Sequence, residues 1–256
     1  MQKISGAKAL TEYILHSSKD KSNKSLLVLL VQGLLAGIYI SMGAIAYLKT
    51  AASVVESGLG SFLGALIFPL GIIAVLFMQA ELFTSDCMVM TAVYAGRTRI
   101  YKIFKILVII ISANIIGCVF MAFLTNMSGI FNADVMEYVR ALAMKKAYMP
   151  FDQLLISGIL CNIIVCTGVC LAYSCQSEVA KIAVLWLSIA GFTLSGTEHV
   201  VANVYYLFTA YFSGADIALI DIIYNILVSS IGNFIGGGII VSGANYILAY
   251  KDIPKK

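Results

Sequence analysis

The stretch GTEHVVAN, residues 196–203, sets a carboxylate, an imidazole and an amide inside a sequence that is otherwise apolar over residues 182–211. Polar and ionisable side chains are costly inside a membrane, and they usually carry function there. A second polar interruption, ELFTSD at residues 81–86, breaks the apolar segment that begins near Phe62, and the glutamates of the two motifs stand 117 residues apart. The two interruptions predict a chain of two related halves, each with one broken helix.

The composition indicates a polytopic membrane protein. Of the 256 residues, 61% are hydrophobic and only 12% are charged, and the mean hydropathy is +0.95. Such a chain has too little polar surface to cover a soluble globule. A helix needs about 20 residues to span roughly 30 Å of hydrocarbon. Six segments reach this length: 26–48, 62–94, 103–125, 152–175, 180–210 and 217–249.

The charges that flank these segments predict the orientation in the membrane. Thirteen Lys and Arg residues lie at the two termini and in the second and fourth loops, against four in the other loops. Since cytoplasmic loops are enriched in Lys and Arg, both termini should face the cytoplasm from the inner (plasma) membrane. Residues 1–25 lack the apolar core of a signal peptide and should form an amphipathic surface segment, and residues 251–256 a short tail. The net charge of +4 follows from the loops and does not indicate a nucleic-acid partner.

A shared signature in the third and sixth segments supports the repeat. The sequences ANIIG at 113–117 and GNFIG at 232–236 each place an Asn three residues before a Gly, 33 and 35 residues after the glutamate of the preceding interruption. With three segments in each half, the halves at about 26–125 and 152–249 must have inverted topology, with a pathway near the membrane midplane. We therefore predict an all-α transmembrane domain over residues 26–250 whose second and fifth helices are broken.

The helix breaks point to a solute site. A helix can break at mid-depth only where it is buried in protein or lines a wet cavity, and the amino-terminal end of a helix attracts an anion. Thr84 at the first break and His199 at the second should meet and offer a hydroxyl and an imidazole to a small solute. We expect Glu81 and Glu198 to brace their loops or pair with a Lys, because a bare carboxylate would repel anions.

The motifs together resemble those of the formate/nitrite transporter family. They occur in order along the chain: AGIYIS at 36–41, ELFTSD at 81–86, GILCNIIVC at 158–166, GTEHVVAN at 196–203 and GNFIGG at 232–237. The resemblance implies a homopentamer in the membrane lipid, in which each protomer has its own aquaporin-like six-helix pore. It implies a pore for small monovalent anions such as formate, nitrite or hydrosulfide.

The resemblance also implies roles for individual residues. It assigns a central pair, hydrophobic constrictions on either side of that pair, and a vestibule network with a lysine at the entrance to the fourth helix. The matching residues are Thr84 and His199 for the central pair; Leu82, Phe192, Phe68, Ile72 and Val165 for the constrictions; and Lys146, Glu198, Asn203, Asn162 and Glu81 for the vestibule and its supporting network.

Three positions depart from the family pattern. An ungapped comparison puts Val28 where the family has a lysine in the first span, and Lys24 is a possible substitute. The lysine of one half of the charge network is therefore not assigned by the resemblance. Thr197 stands where formate and nitrite members have an aromatic residue, and Val204-Tyr205-Tyr206 replaces their usual methionine. The last two departures resemble the hydrosulfide-channel branch, so hydrosulfide is the expected solute, with proton-coupled formate or nitrite transport as the alternative.

Three other functions are weaker alternatives. An aquaporin-like water or glycerol channel would need Asn-Pro-Ala pairs at its breaks, but the only prolines are Pro69, Pro150 and Pro254. The two intramembrane glutamates are the feature that would support a cation or ammonium channel. An intramembrane hydrolase would use Ser195 and His199 as a dyad, but no second helix supplies a base. The sequence contains no HExxH motif, phosphate loop or CxxC pair, so neither an enzyme, a cofactor nor a metal site is predicted.

Overall fold

The computed structural model describes residues 6–54 and 56–249, and within these ranges every regular element is helical. The first five residues and the predicted tail at 251–256 lie outside the described residues. The first helix, α1 (Gly6–Asn23), packs against the rest of the protein, where Leu10 and Ile14 are buried. The ring of Tyr13 stacks on Tyr173 with the centroids 3.8 Å apart. The amino-terminal segment is therefore docked on the helical domain through its apolar side.

The first half contains two long helices and a broken one. Its elements are α2 (Leu26–Ala52), α3 (Ser57–Ile67), α4 (Leu70–Phe77), α5 (Phe83–Asp86), a 3₁₀ turn (Cys87–Val89), α6 (Met90–Tyr94) and α7 (Ile100–Ser128). Pro69 separates α3 from α4, because proline has no N–H to continue the helical ladder. The chain leaves the helix again between α4 and α5, where Gln79 adopts a positive φ of 51°. The break is present but lies at residues 78–82, so only the start of the predicted interruption at 81–86 is non-helical and Phe83–Asp86 form α5.

The second half repeats this order after a connecting helix. The connection is α8 (Ala133–Ala147), followed by α9 (Phe151–Ser174), α10 (Glu178–Leu194), α11 (Val200–Phe212), α12 (Leu219–Phe234), a π-helical stretch (Ile235–Val241) and α13 (Ser242–Ala249). The chain leaves the helix between α10 and α11, with Gly196 at a φ of 66°, as the break at the second polar motif predicts. The side chain of Asn132 caps α8 by accepting a hydrogen bond from the N–H of Val135. Hydropathy did not predict α8 because it is too polar to span a membrane.

Several helical segments have the length and composition to cross a membrane. They are Leu26–Ala52, Gly58–Phe77, Ile100–Ser128, Phe151–Ser174 and Leu219–Ala249. The fifth predicted span is divided between α10, with 17 residues, and α11, with 13 residues. The prediction of an all-helical membrane protein with broken second and fifth segments is confirmed.

Glycines bring the long helices into close contact in both halves. A Cβ on Gly37 of α2 would lie 2.3 Å from the carbonyl oxygen of Asn114 on α7. A Cβ on Gly236 would lie 2.4 Å from the carbonyl oxygen of Ile159 on α9. Small residues let membrane helices approach until their backbones touch. The same kind of contact therefore holds α2 to α7 and α9 to the last helical segment.

Gly117 of α7 offers a direct test of this packing. A Cβ there would lie 2.3 Å from the carbonyl oxygen of Leu34, so Gly117→Ala must push α2 and α7 apart. We expect a loss of about 1–3 kcal/mol in the free energy of unfolding, seen as a lower thermal midpoint in detergent. The matched control is Gly191→Ala on α10, where a Cβ meets nothing within 4 Å and alanine favours the helix. Equal midpoints for the two variants would contradict the close-packing role.

Candidate functional site

The break in the first half is held by one buried asparagine. Asn114 on α7 accepts a hydrogen bond from the N–H of Phe83 at 2.9 Å. Its amide donates to the carbonyls of Gly33 and Glu81 at 2.8 and 2.9 Å. Backbone groups that leave a helix inside a membrane must find partners in the protein. Asn114 supplies them to the residues just before and just after the break.

The break in the second half is held in the same way. Asn233 accepts a hydrogen bond from the N–H of Val200 at 2.9 Å and donates to the carbonyls of Gly158 and Glu198 at 2.8 and 2.9 Å. The two braced loop positions lie 117 residues after their counterparts in the first half. The signature shared by the third and sixth segments thus marks, in each half, the asparagine that holds the helix break by hydrogen bonds.

Thr84 and His199 meet where the two breaks face each other. Thr84 Oγ1 lies 3.0 Å from His199 Nε2, and both residues are buried. His199 also caps α11, since its Nδ1 accepts a hydrogen bond from the N–H of Ala202 at 3.2 Å. An accepting Nδ1 assigns the neutral tautomer with its proton on Nε2. His199 therefore donates to Thr84, and the threonine hydroxyl proton remains available to a solute.

Asn162 on α9 supports this pair from behind. Its amide donates to the carbonyl of Thr84 at 3.0 Å and to the carbonyl of Asn233 at 2.6 Å. The thiol of Cys166, one turn further along α9, also approaches the Thr84 carbonyl at 3.3 Å. Asn162 thereby joins the first break to the asparagine that braces the second.

Apolar side chains enclose the central pair. The rings of Phe192 and His199 lie 5.6 Å apart, and Phe68 packs edge-on against Phe192 at 5.9 Å. Leu82, Ile72 and Val165 are buried in the same hydrophobic cluster. Phe192 therefore lies beside His199 with Phe68 behind it, and all five residues that the resemblance implied for the constrictions belong to one hydrophobic cluster.

A cavity of about 270 Å³ lies on the side of α8 and reaches His199 and Phe192. On its wall, buried Lys146 donates to Glu198 Oε1 at 2.8 Å. Asn203 donates to Glu198 Oε2 at 2.6 Å and to Asn225 at 2.9 Å. Asn225 closes the ring by donating to the carbonyl of Lys146 at 2.8 Å. Glu198 is therefore fully paired with protein groups, as expected for a bracing carboxylate.

A second cavity of about 540 Å³ lies on the side of α1, and its wall includes Ile72 and Glu81. Lys24 donates to Glu81 at 2.6 Å, and Lys21 donates to both Glu81 and Asp86. Burial lowers the pKa of Lys21, but its pairing with Asp86 and Glu81 outweighs burial and holds that pKa above the ordinary value. The amino-terminal segment thus supplies the positive charge that the first span lacks.

Three residues of these networks were not predicted from the sequence. Lys21 and Asn225 pair with residues 60 and 22 positions away, and no local pattern signals such contacts. Asp86 belongs to the first polar motif, and the 117-residue offset that links the glutamates also pairs it with Asn203. That offset is the signal that identifies Asp86. Within the described ranges, no group of three His, Cys, Asp or Glu residues is placed to hold a metal ion.

The arrangement defines a class of membrane protein. Two helix breaks from opposite halves meet at a buried polar pair, and a separate cavity approaches this pair from each side. Broken helices of inverted repeats that meet near the midplane are typical of channels and secondary transporters.

Comparison with known proteins defines the class further. The family model for formate/nitrite transporters matches residues 8–247, and the chain belongs to this family. It is 33% identical to the uncharacterized transporter YrhG of Bacillus subtilis (strain 168), over 96% of this chain and 95% of that protein. It is 29% identical to the formate channel BtFdhC of Bacillus thuringiensis, over 94% of each chain. A solved pentameric formate channel with formate bound matches with a TM-score of 0.81 and 27% identity, over 88% of this chain and 98% of that one. The protein is thus a multi-pass membrane channel or transporter.

The ion pair in the smaller cavity gives a stability prediction. Lys146→Met leaves Glu198 buried without a counter-charge, and we expect a loss of about 3–5 kcal/mol in the free energy of unfolding. The double variant Lys146→Met/Glu198→Gln should recover most of it. Lys145→Met, at the exposed neighbouring position, is the matched control and should leave the thermal midpoint unchanged. A double variant as unstable as Lys146→Met would show that lost packing, and not unpaired charge, explains the effect.

Proposed function

We propose that the protein conducts small monovalent weak-acid anions through the site formed by Thr84 and His199. The observation that carries this proposal is their 3.0 Å contact, made by residues at the breaks of opposite halves. The contact is enclosed by apolar side chains, and a cavity with lysines on its wall approaches from each side. The formate channels among the relatives support an anionic solute.

Conduction requires that the anion lose its charge in the constriction. An unpaired anion in a dry apolar passage costs on the order of tens of kcal/mol by an idealised Born estimate. Lys146 attracts the anion into the cavity on its side, and the solute crosses the ring of Phe192 partly or fully as its conjugate acid. Between the constrictions the Thr84 hydroxyl donates a hydrogen bond to the solute, while His199 orients that hydroxyl. Thr84 and His199 thereby give the solute the hydrogen bonding that water would otherwise provide, at the most apolar part of the pathway.

Hydrosulfide is the favoured solute, with formate or nitrite moved together with protons as the alternative. Thr197 and Tyr206 support hydrosulfide: both line the cavity of Lys146, and the Tyr206 ring lies 5.8 Å from the lysine ammonium. Hydrosulfide suits the mechanism because its acid forms near neutral pH. The formate channels among the relatives favour the alternative. A cation or ammonium channel is disfavoured, since Glu81 and Glu198 are both paired with lysines.

The assembly and orientation follow from the same proposal. We infer a homopentamer, because a formate channel of the same fold is pentameric and this chain exposes many large apolar side chains on its outer surface. Residues 26–250 form the channel domain of each protomer, in the inner membrane. Residues 1–25 and the tail at 251–256 face the cytoplasm, so the cavity beside α1 opens on the cytoplasmic side.

Flux into proteoliposomes tests the choice of solute. The panel is hydrosulfide, formate, nitrite, chloride and glycerol at two pH values. We expect the weak-acid anions to pass, hydrosulfide fastest, with rates that fall as pH rises because less conjugate acid forms. Formate or nitrite above hydrosulfide would favour the alternative solute. Passage of glycerol alone would reject the anion pathway.

His199→Ala tests the central pair. Leaving the buried Thr84 hydroxyl without its partner costs about 1–3 kcal/mol, so we expect flux to fall roughly 5- to 150-fold. Ser195→Ala, four residues earlier, is the matched control and should retain its flux; the hydrolase alternative instead requires Ser195. Full flux with an unchanged pH dependence in His199→Ala would remove His199 from the mechanism.

A further inference from the structure

The two halves carry related networks around the glutamate of each break, and one equivalent position in them differs in its chemical group. The 117-residue offset places Glu81 on Glu198 and Asp86 on Asn203. Each glutamate pairs with a lysine from a helix outside its own broken segment. The second half therefore has an amide where the first half has a carboxyl group.

The amide in the second half holds its hydrogens permanently. Asn203 donates one N–H to Glu198 at 2.6 Å and the other to Asn225 at 2.9 Å. The orientation of this amide is set by the two acceptors, since Asn225 uses its own N–H on the carbonyl of Lys146. The hydrogen between Asn203 and Glu198 is thus covalently fixed to nitrogen and does not exchange with a solute.

The first half lacks this fixed hydrogen. Asp86 is buried, with 4% of its surface exposed, and both it and Glu81 accept from the single ammonium of Lys21. The other oxygen of Asp86, Oδ2, has no hydrogen-bond partner among the described residues, and the equivalent oxygen of Asn203, Oδ1, has none either. A buried unsatisfied polar atom calls for a missing partner. A proton on Asp86 would let it donate, as Asn203 does in the second half.

The charge balance of the two cavities supports a proton at Asp86. The cavity beside α8 has Lys145 and Lys146 against Glu198. The cavity beside α1 has Lys21 and Lys24 against Glu81 and Asp86, while its other charged groups pair among themselves, His16 with Asp20 and Lys181 with Glu178. When Asp86 carries a proton, Lys21, Lys24 and Glu81 carry a formal charge of +1, as Lys145, Lys146 and Glu198 do, and this charge attracts an anion.

We propose that Asp86 is the proton-exchanging residue of the cavity beside α1, which gives its proton to the solute anion before the anion enters the constriction. The inference rests on the proposed conduction of weak acids. The O–H bond of the Asp86 carboxyl group breaks as the proton bonds to the anion, and the neutral acid passes Ile72 toward Thr84. Lys21 stabilises the carboxylate that remains, and water from the cytoplasmic side returns a proton to it. Outward flow follows this order. Inward flow follows the reverse order, in which the Asp86 carboxylate takes the proton from the arriving acid.

Other groups surround Asp86 and set its charge environment. Lys21 contacts it directly, and Glu81 shares that lysine. The titratable or charged groups that face it are Lys21, Lys24 and Tyr13 of the amino-terminal segment, Glu81 and Cys87 of the first broken segment, and Cys166 and Tyr173 of α9. Among them, Glu81 and Asp86 are the two carboxyl groups, and only Asp86 has an oxygen without a partner.

Asp86→Asn gives the first half the side chain of the second. The amide oxygen can still accept from Lys21, but no transferable proton remains. We expect the flux of formate and hydrosulfide into proteoliposomes to fall at least about tenfold, the low end of what a positioned proton donor contributes. The flux should also lose its dependence on the pH of the face that bears α1, measured by changing the pH of one face at a time. Asp86→Glu should retain both, and Asp152→Asn, at an exposed position on α9, is the matched control.

The reciprocal variant separates proton exchange from a structural role. Asn203→Asp places a second carboxyl group in the cavity beside α8, so flux should gain a dependence on the pH of that face, and Asp86→Asn/Asn203→Asp should carry only this new dependence. Unchanged flux and unchanged pH dependence in Asp86→Asn, or no new dependence in Asn203→Asp, would overturn the inference. A wild-type protein that passes no weak-acid anion would instead overturn the proposed function.

Discussion

Backbone groups that leave a helix inside a membrane have no water to bond, and the two buried asparagines answer this constraint. Asn114 and Asn233 each give one acceptor and one donor to a broken segment, and a second donor to a neighbouring unbroken helix. An unsatisfied backbone group in hydrocarbon would cost several kcal/mol, so each break depends on its asparagine. Because both breaks are fixed from the long helix behind them, Thr84 and His199 meet at hydrogen-bonding distance. The central site thus exists because the backbone groups at both breaks have hydrogen-bond partners.

The glutamates that precede the breaks carry a second constraint. A buried carboxylate needs a counter-charge and full hydrogen bonding. The lysines that meet this need come from outside the broken segments: Lys146 belongs to α8, and Lys21 to α1. Each pair therefore ties a helix at the protein's periphery to a break at its centre. The lysine at each cavity serves the fold and also gives the cavity the positive charge that, in the proposed function, a small anion meets on its way in.

The sequence predicted those features whose signal is local or repeated. Long apolar runs marked the spans, and polar motifs marked both breaks. The two breaks, which must face each other near the midplane, predicted that Thr84 and His199 meet across the halves. Lys21 was missed because it precedes the first span in a polar segment, and only the docking of α1 brings it within reach of Glu81, 60 residues away. The helix α8 was missed because hydropathy identifies spans and passes over polar helices between them.

Inverted repeats place equivalent groups at the two faces of a membrane, so a pathway of full symmetry would respond equally to conditions on either side. This chain keeps the symmetry in the asparagine braces and in the pairing of each glutamate with a lysine, and loses it at the pair Asp86 and Asn203. A pore cannot alter the equilibrium of its solute and acts only on the rate. A titratable group in one cavity therefore decides which face controls that rate. Asp86 stands two residues after Thr84, so a proton given there joins the solute just before the passage where charge is most costly.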